Sequence, residues 1–264
     1  MTIKAVMFDL DDTLLWDERS VSEAFEATCK AAAAQFSGID PGELERSVRN
    51  EAQSIYFGYP TYPFCKMIGI NPFEALWAKF SEGELPEFRE LERLAPGYRR
   101  EAWTRGLRQL GVDSEEWGSK LADMFLAERR ARALIYEDTF TILDTLRGTY
   151  KLLLLTNGAP DLQKEKVAGV PALASYFDHI IISGQFGKGK PDPAIFRHAL
   201  GILGVQANEA IMIGDKLTTD VLGSLQTGIP NAWLNRKNVS RNDEIVPMFE
   251  IRGLMELPKL IESL

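Results

Sequence analysis

The sequence predicts an α/β fold, a Rossmann-like doubly wound parallel-sheet core with an inserted, mainly α-helical domain. Three observations carry this. Short apolar runs recur along the chain and each ends in a polar cluster; helical segments separate most of these runs; and one long stretch of helical spacing interrupts the pattern after the first run. Strands alternating with helices form a parallel sheet covered on both faces.

Residues 3–8 (IKAVMF) read as a buried strand that stops at Asp9. Residues 17–135 depart from the pattern. Within them, 20–36 and 114–134 carry apolar positions at helical spacing, the centre is rich in aromatics, and 56–70 (YFGYPTYPFCKMIGI) is ambiguous between helix and strand. The core pattern then resumes with a helix over 136–147 and a strand over 151–155 (KLLLL) that leads into Thr156-Asn157-Gly158. A helix over 161–167 precedes a strand over 179–182 (HIII), and a helix over 193–203 precedes one over 210–213 (AIMI) that leads into Gly214-Asp215. A helix over 220–227, a strand over 231–234 (NAWL) and a closing helix within 253–264 complete the chain. Residues 1–16 and 136–264 therefore form the core, and 17–135 the insertion. There is no internal repeat.

Ligands of an open doubly wound sheet bind beyond the carboxyl ends of its strands. Asp9, Thr156 and Asp215 should therefore converge on one site.

The 264 residues are 45% hydrophobic and 26% charged, ordinary for a globular chain, with a formal net charge of -8. That balance argues against a broad nucleic-acid-binding face, because nothing offsets phosphate repulsion over a wide surface. A small anionic substrate remains compatible if cations are placed locally. The two cysteines, Cys29 and Cys65, lack metal-type spacing and suit a reducing compartment. The first apolar run is too short for a signal peptide and no window approaches a membrane span, so the expectation is a cytoplasmic protein without a membrane partner.

Four motifs carry chemistry, and each has an ordinary structural reading beside the functional one. Asp9, Asp11, Asp12 and Thr13 close the first strand. They read either as a helix cap or as a nucleophilic carboxylate with a neighbouring proton carrier. Gly214-Asp215 with Asp220 reads as a capped turn or as hard oxygen ligands for Mg²⁺. Thr156-Asn157 reads as a plain turn, or as a hydroxyl, an amide and a backbone N–H offered to an anion. The stretch SGQFGKGKPDP opens like a nucleotide-binding Gly-Lys loop, but Pro191 stands where that loop needs a hydroxyl and a backbone donor. The nucleotide-loop reading fails. Lys190 is left as a cation at the acidic edge, suited to neutralise a phosphoryl group and to pair with Asp9 or Asp215, while Lys188 reads as solvated.

Taken in order, DxDxT (Asp9, Asp11, Thr13), an apolar run with Thr156-Asn157, Lys190-Pro191, and GDxxxxD (Gly214, Asp215, Asp220) resemble the four motifs of the haloacid dehalogenase superfamily, in its phosphatase branch. The insertion resembles that family's helical cap of the first type, though it is long for the class. The strings LLWDERSV and GINPFEALW resemble bacterial phosphoserine phosphatase-like members.

The resemblance implies a Mg²⁺-dependent phosphatase acting on a small-molecule phosphomonoester. Phosphoserine, a sugar phosphate, a nucleotide monophosphate and phosphoglycolate all remain open. It implies that Asp9 attacks phosphorus, and that Asp11 protonates the leaving oxygen and then activates water. Mg²⁺ would sit on Asp9, the Asp11 carbonyl and Asp215, with Asp220 as a more distant or second carboxylate partner. Thr156 and the backbone of Asn157 would bind phosphoryl oxygens, Lys190 would stabilise their charge, and Thr13 would support the nucleophile loop at the phosphate site. Lys216, unusual after the aspartate, reads as pointing outward.

The cap would supply substrate contacts. Arg99 and Arg100 are candidates, and so are Tyr56, Phe57, Tyr59, Tyr62 and Phe64, although internal packing is the better reading of these aromatics. Arg129-Arg130 reads as a solvated helix face, and neither His179 nor His198 reads as catalytic. The expected assembly is a monomer or homodimer. A dehalogenase of the same superfamily is the nearest alternative, but those enzymes need no metal and lack an acid at the position of Asp11. A phosphomutase would have a shorter cap. A non-enzymatic relative would have lost one of Asp9, Asp11, Lys190 or Asp215.

Overall fold

A computed structural model describes residues 2–240 and 244–264. Among the described residues six strands form one sheet: β1 (Ala5–Phe8), β2 (Lys151–Thr156), β3 (His179–Ile182), β4 (Ala210–Gly214), β5 (Asn231–Leu234) and β6 (Phe249–Ile251). Their order is β3-β2-β1-β4-β5-β6, with every neighbouring pair parallel. The chain builds outward from β1 to one side and then restarts on the other, so the topological switch lies between β1 and β4. Phe8 stands level with Leu154 of β2 and Ile213 of β4. That register brings Asp9, Thr156 and Asp215 to one edge.

The central strands are apolar on both faces because both faces are covered. Val6, Phe8, Leu152, Leu154, Ile211 and Ile213 share one core, and Ala5, Met7, Leu153, Leu155, Ala210 and Met212 share the other. The two-residue alternation of strand side chains makes this division.

The helices follow in chain order as α1 (Asp17–Gln35), α2 (Pro41–Gly58), α3 (Tyr62–Ile68), α4 (Pro72–Ala75), α5 (Pro86–Gln109), α6 (Glu115–Arg130), α7 (Thr139–Leu146), α8 (Pro160–Ala168), α9 (Ser183–Phe186), α10 (Pro193–Leu203), α11 (Leu222–Thr227) and α12 (Leu257–Glu262). Ile142, Leu143 and Leu146 of α7 and Leu257 and Ile261 of α12 enter the first core; Ile195, Phe196 and Ala199 of α10 enter the second. The chain divides into two compact units. One holds Met1–Asp17, Leu134–Gly158 and Gln163–Leu264; the other holds Glu18–Ala133 and Ala159–Leu162.

The second unit is helical and has a core of its own, in which Phe25, Trp103 and Phe125 meet with ring centroids 4.5 to 5.8 Å apart. Three of its helices, α2, α4 and α6, begin where a side chain can accept the first free amides. Asp40 accepts from Glu43 N at 2.8 Å, Asn71 accepts from Glu74 N at 2.9 Å, and Ser114 accepts from Trp117 N at 3.3 Å. The ambiguous 56–70 stretch resolves into the end of α2 and the whole of α3, with Tyr56 and Phe64 buried and Tyr59 and Tyr62 packed against the core. Phe57 alone among these aromatics is widely exposed.

Three particulars differ from the sequence reading. The edge strand β6 is too short, and carries an outward Glu250, to show as an apolar run. A π-helical turn, Leu217–Val221, intervenes before α11, so the helix read from Asp220 begins two residues later. Arg129 does not belong to a solvated face: it is buried, bonded to Ser20 Oγ, with its guanidinium 4.6 Å from the Trp77 ring. Arginine can bury a flat cation against an aromatic face, which a charge pattern alone does not reveal.

Helix α5 offers a test of this packing. A Cβ at Gly106 would lie 2.4 Å from the Val48 side chain and 3.1 Å from its Cα, whereas a Cβ at Gly97 meets nothing within 4 Å. Gly106→Ala is therefore expected to lower stability in urea denaturation by about 1–3 kcal/mol. Gly97→Ala is expected to raise it by up to about 1 kcal/mol.

Candidate active site

Asp9 leaves β1 with its amide bonded to Ile213 O at 2.9 Å, which ties the loop start to β4. Its carboxylate meets Lys190 Nζ at 2.6 Å, and the same ammonium lies 2.7 Å from Asp220 Oδ1. All three side chains are nearly or wholly withdrawn from water. Lys190 thus pairs with Asp9 and Asp220; the alternative pairing with Asp215 does not occur.

The lysine reaches this place because Asn157, after β2, grips its backbone twice. Asn157 Oδ1 accepts from Lys190 N at 2.8 Å, and Asn157 Nδ2 donates to Lys190 O at 2.9 Å. The side-chain amide of Asn157 is therefore occupied in holding the lysine loop, a role distinct from the anion contact expected of it. Lys188 sits outside the site, exposed and 3.2 Å from Asp192.

Two residues beyond Asp9, the carboxyl of Asp11 has different partners. Lys166 Nζ lies 2.8 Å from its Oδ2, and Gln163 Nε2 donates to the same oxygen at 3.0 Å. Gln163 also donates to Thr156 Oγ1 at 2.6 Å. Both donors come from α8, three positions apart and so on one helix face. Gly158, at φ +143°, has no Cβ to collide with the Gln163 side chain, which such an atom would approach to 2.9 Å. The sequence reading passed over Gln163 and Lys166, because QKEK looks like an ordinary solvated helix face. Their spacing beside buried Leu162 and Val167 is the signal that was available.

Asp215 and Asp220 follow β4. The π-helical turn and the bond from Lys216 N to Asp220 Oδ2, at 3.1 Å, bring Asp220 back over the strand end. Gly214 makes room for it: a Cβ there would lie 2.3 Å from the Asp220 carboxyl carbon. Trp233 on β5 donates from Nε1 to Asp215 O at 2.7 Å. Asp9, Asp215 and Asp220 offer carboxylate oxygens within 4.8 Å of one another. Thr13 is fully buried, and its hydroxyl has no hydrogen-bond partner among the described residues. Its carbonyl accepts from Arg236 Nη2 at 3.2 Å, and the same guanidinium holds Asp138 at 2.8 and 3.0 Å.

These groups perturb one another. Burial pushes the Asp9 carboxyl up from the usual range, against the pull of Lys190. Burial also raises Asp11, again opposed by a lysine, Lys166, with Asp17 adding to the rise. Asp215 is pushed up to about 8, first by burial and then by the neighbouring charges of Asp9 and Asp220. For Lys190, burial favours the neutral amine, but Asp220 and Asp9 outweigh it and the pKa rises. Lys216 has an exposed side chain, yet the carboxylates of Asp215, Asp9, Asp11 and Asp220 outweigh the desolvation of its ammonium and its pKa rises too.

The donor set fits a hard divalent cation. It is made of carboxylates, and Asp215 Oδ1 is buried without a hydrogen-bond partner. Such an atom is costly unless something positive satisfies it. Carboxylates also outnumber ammoniums in this buried volume.

A family model described as haloacid dehalogenase-like hydrolase matches residues 3–227. The chain is 34% identical to a phosphoserine phosphatase of Thermus thermophilus over 97% of its own length and 98% of that protein's. In fold it resembles a HAD-hydrolase of Bacillus subtilis solved bound to magnesium, with a TM-score of 0.67 and 19% identity over 99% of each chain. It also resembles a 2-haloacid dehalogenase of Pseudomonas syringae, with a TM-score of 0.61 and 27% identity over 99% of each chain.

The unsatisfied acids make a prediction that needs no substrate. Mg²⁺ is expected to raise the melting temperature of the protein over its value in EDTA, by the equivalent of about 2.7 kcal/mol at a hundredfold excess over Kd. Asp215→Asn removes one of the mutually repelling carboxyls. It should melt no lower than the wild type in EDTA and should lose the Mg²⁺-induced rise, as differential scanning fluorimetry would read.

Proposed function

The chain belongs to the haloacid dehalogenase-like hydrolases, and on that premise we propose that it is a phosphoric monoester hydrolase acting through a phosphorylated Asp9. The observation that carries the reading is the division of partners between two carboxyls two residues apart. Asp9 shares Lys190 with Asp220 and lies in the acid cluster, whereas Asp11 is held by Lys166 and Gln163. Two carboxyls in different surroundings take different roles, one as nucleophile and one as acid–base group.

Residues 1–16 and 136–264 are proposed as the catalytic core, and 17–135 as the helical cap. Asp9, Asp215 and Asp220, with the Asp11 carbonyl, would hold Mg²⁺, whose bound charge would lower the repulsion between these carboxylates and a phosphate ester. In the first half-reaction a carboxylate oxygen of Asp9 bonds to phosphorus, and the bond from phosphorus to the ester oxygen breaks. The proton of Asp11 passes to that oxygen and an alcohol departs. In the second, Asp11 takes a proton from water, whose oxygen bonds to phosphorus. The bond to Asp9 then breaks, releasing inorganic phosphate and restoring both carboxyls. Lys190 neutralises charge on the phosphoryl oxygens, with Thr156, Thr13 and the Asn157 backbone as further donors.

The likeness to a phosphoserine phosphatase runs through nearly the whole chain, the helical part included. Phosphoserine is therefore the first candidate substrate, ahead of sugar phosphates, nucleotide monophosphates and phosphoglycolate. A dehalogenase has no use for a proton carrier at Asp11 or for a third clustered acid. Two buried free cysteines suit a reducing, cytoplasmic compartment. No helix among the described residues is long and apolar enough to cross a membrane.

Phosphate release from a panel of phosphomonoesters, with Mg²⁺ and with EDTA, tests the reading. Release is expected with Mg²⁺ and not with EDTA. Asp9→Asn should lower kcat by more than about a thousandfold. The variant should still fold, because the change is isosteric and Lys190 keeps Asp220 as a partner. Asp11→Asn should slow turnover by about 10²- to 10⁴-fold. Normal turnover by Asp9→Asn would sink the mechanism.

A further inference from the structure

The two oxygens of the Asp11 carboxyl are not equivalent. Oδ2 receives hydrogen bonds from Lys166 Nζ at 2.8 Å and from Gln163 Nε2 at 3.0 Å, while Oδ1 is buried with no hydrogen-bond partner among the described residues. A proton on Oδ2 would compete for space and lone pairs with two donors already aimed at it. A proton on Oδ1 meets neither. Lys166 is itself fixed: its side chain is 3% exposed, and Asp17 Oδ1 also lies 3.6 Å from its ammonium. A long, flexible chain buried and held by carboxylates is a geometric constraint as much as an ion pair.

We propose that Lys166 is the positioning residue of the acid–base step. With Gln163 it pins Asp11 Oδ2, so that Oδ1 is the oxygen that hands the proton to the departing alcohol and later takes one from water. The proposal rests on Asp11 being the acid–base group, as argued above. It adds which oxygen does the work and what holds it in place. Gln163 extends the same support to the phosphate side. Its second amide hydrogen is given to Thr156 Oγ1 at 2.6 Å, so the hydroxyl accepts from Gln163 while its own proton goes to Asn157 O across a long 3.5 Å contact that a phosphoryl oxygen could replace.

A buried ion pair often contributes nothing beyond packing, so the test must separate positioning from stability. The ratio of kcat/KM between two aryl phosphates of similar shape does this. Phenyl phosphate releases a phenoxide as basic as a tyrosinate and needs the proton. 2,4-Dinitrophenyl phosphate releases a stable anion and does not. Lys166→Met is expected to raise the ratio of dinitrophenyl to phenyl phosphate cleavage by about tenfold or more, in the same direction as Asp11→Asn. Lys166→Arg, which keeps a donor within reach of Oδ2, should bring the ratio back toward the wild type. Gln163→Leu, which leaves the ion pair in place, should shift the ratio in the same sense by less, and it serves if Lys166→Met does not fold.

A ratio unchanged in Lys166→Met and Gln163→Leu, while Asp11→Asn shifts it, would overturn the positioning role and leave the phosphatase reading standing. A ratio unchanged in Asp11→Asn itself, or no cleavage of either ester by the wild type, would overturn the reading of Asp11 and the inference with it.

Discussion

A single ammonium, Lys190 Nζ, held between the carboxylates of Asp9 and Asp220 with almost no water beside it, sets the terms for the rest of the site. Charges withdrawn from water cost several kcal/mol each unless their partners are placed well. The chain meets that requirement with local features that have no other evident purpose. Asn157 holds the Lys190 backbone from both sides, a π-helical turn folds Asp220 back over β4, and Gly214 leaves room for the returning carboxyl. π-Turns are rare and concentrate at functional sites, and here the turn has an identifiable task. The sheet supplies the common frame, because its register sets the ends of β1, β2 and β4 level with one another.

The acids of this edge exceed its buried cations, and that imbalance reconciles two facts that pull apart. The protein is acidic as a whole, with a formal net charge of -8, yet it belongs to a family of hydrolases whose curated relative acts on a phosphate ester. Long-range attraction cannot bring a phosphate dianion to such a surface. On the proposed reading the positive charge would be local, supplied by Lys190 and a divalent cation on the clustered carboxylates. The upward shift of Asp215 has the same origin: its carboxyl is crowded by burial and by the charges of Asp9 and Asp220.

Much of this was legible in the sequence because it depended on short-range rules. The core strands are apolar on both faces, so they show as unbroken runs, and each run stops where its polar cluster begins. Asp9, Thr156 and Asp215 are read this way, from position at strand ends, and Lys190 from the Gly-Lys stretch that Pro191 disqualifies as a nucleotide loop. What escaped were residues whose role depends on a partner far along the chain. Lys166 and Gln163 look solvated in QKEK until α8 lies beside the loop after β1, more than a hundred residues earlier in sequence. Arg129 looks like surface until Trp77 lies under it. Hydrophobic periodicity counts such side chains as outward by chemical type, and nothing in one sequence says which buried polar residue has a partner. The same blindness hid β6, whose three residues are too few to carry a period.

The separation between Asp9 and Asp11 follows from backbone geometry more than from the residues themselves. Two aspartates two positions apart have the same intrinsic acidity and, on an extended strand, would face the same side. The loop after β1 breaks that equivalence: Asp12 takes φ +57°, and the amides of Leu14 and Leu15 both return to Leu10 O. Asp9 then stays with the strand and meets groups that follow β3 and β4, while Asp11 meets α8, which follows β2. Each carboxyl is thereby supported by a different crossover of the sheet. The two carboxyls still feel each other's charge, but each has its own hydrogen-bonding partners, and that difference in surroundings is what two opposed roles on neighbouring, chemically identical side chains require.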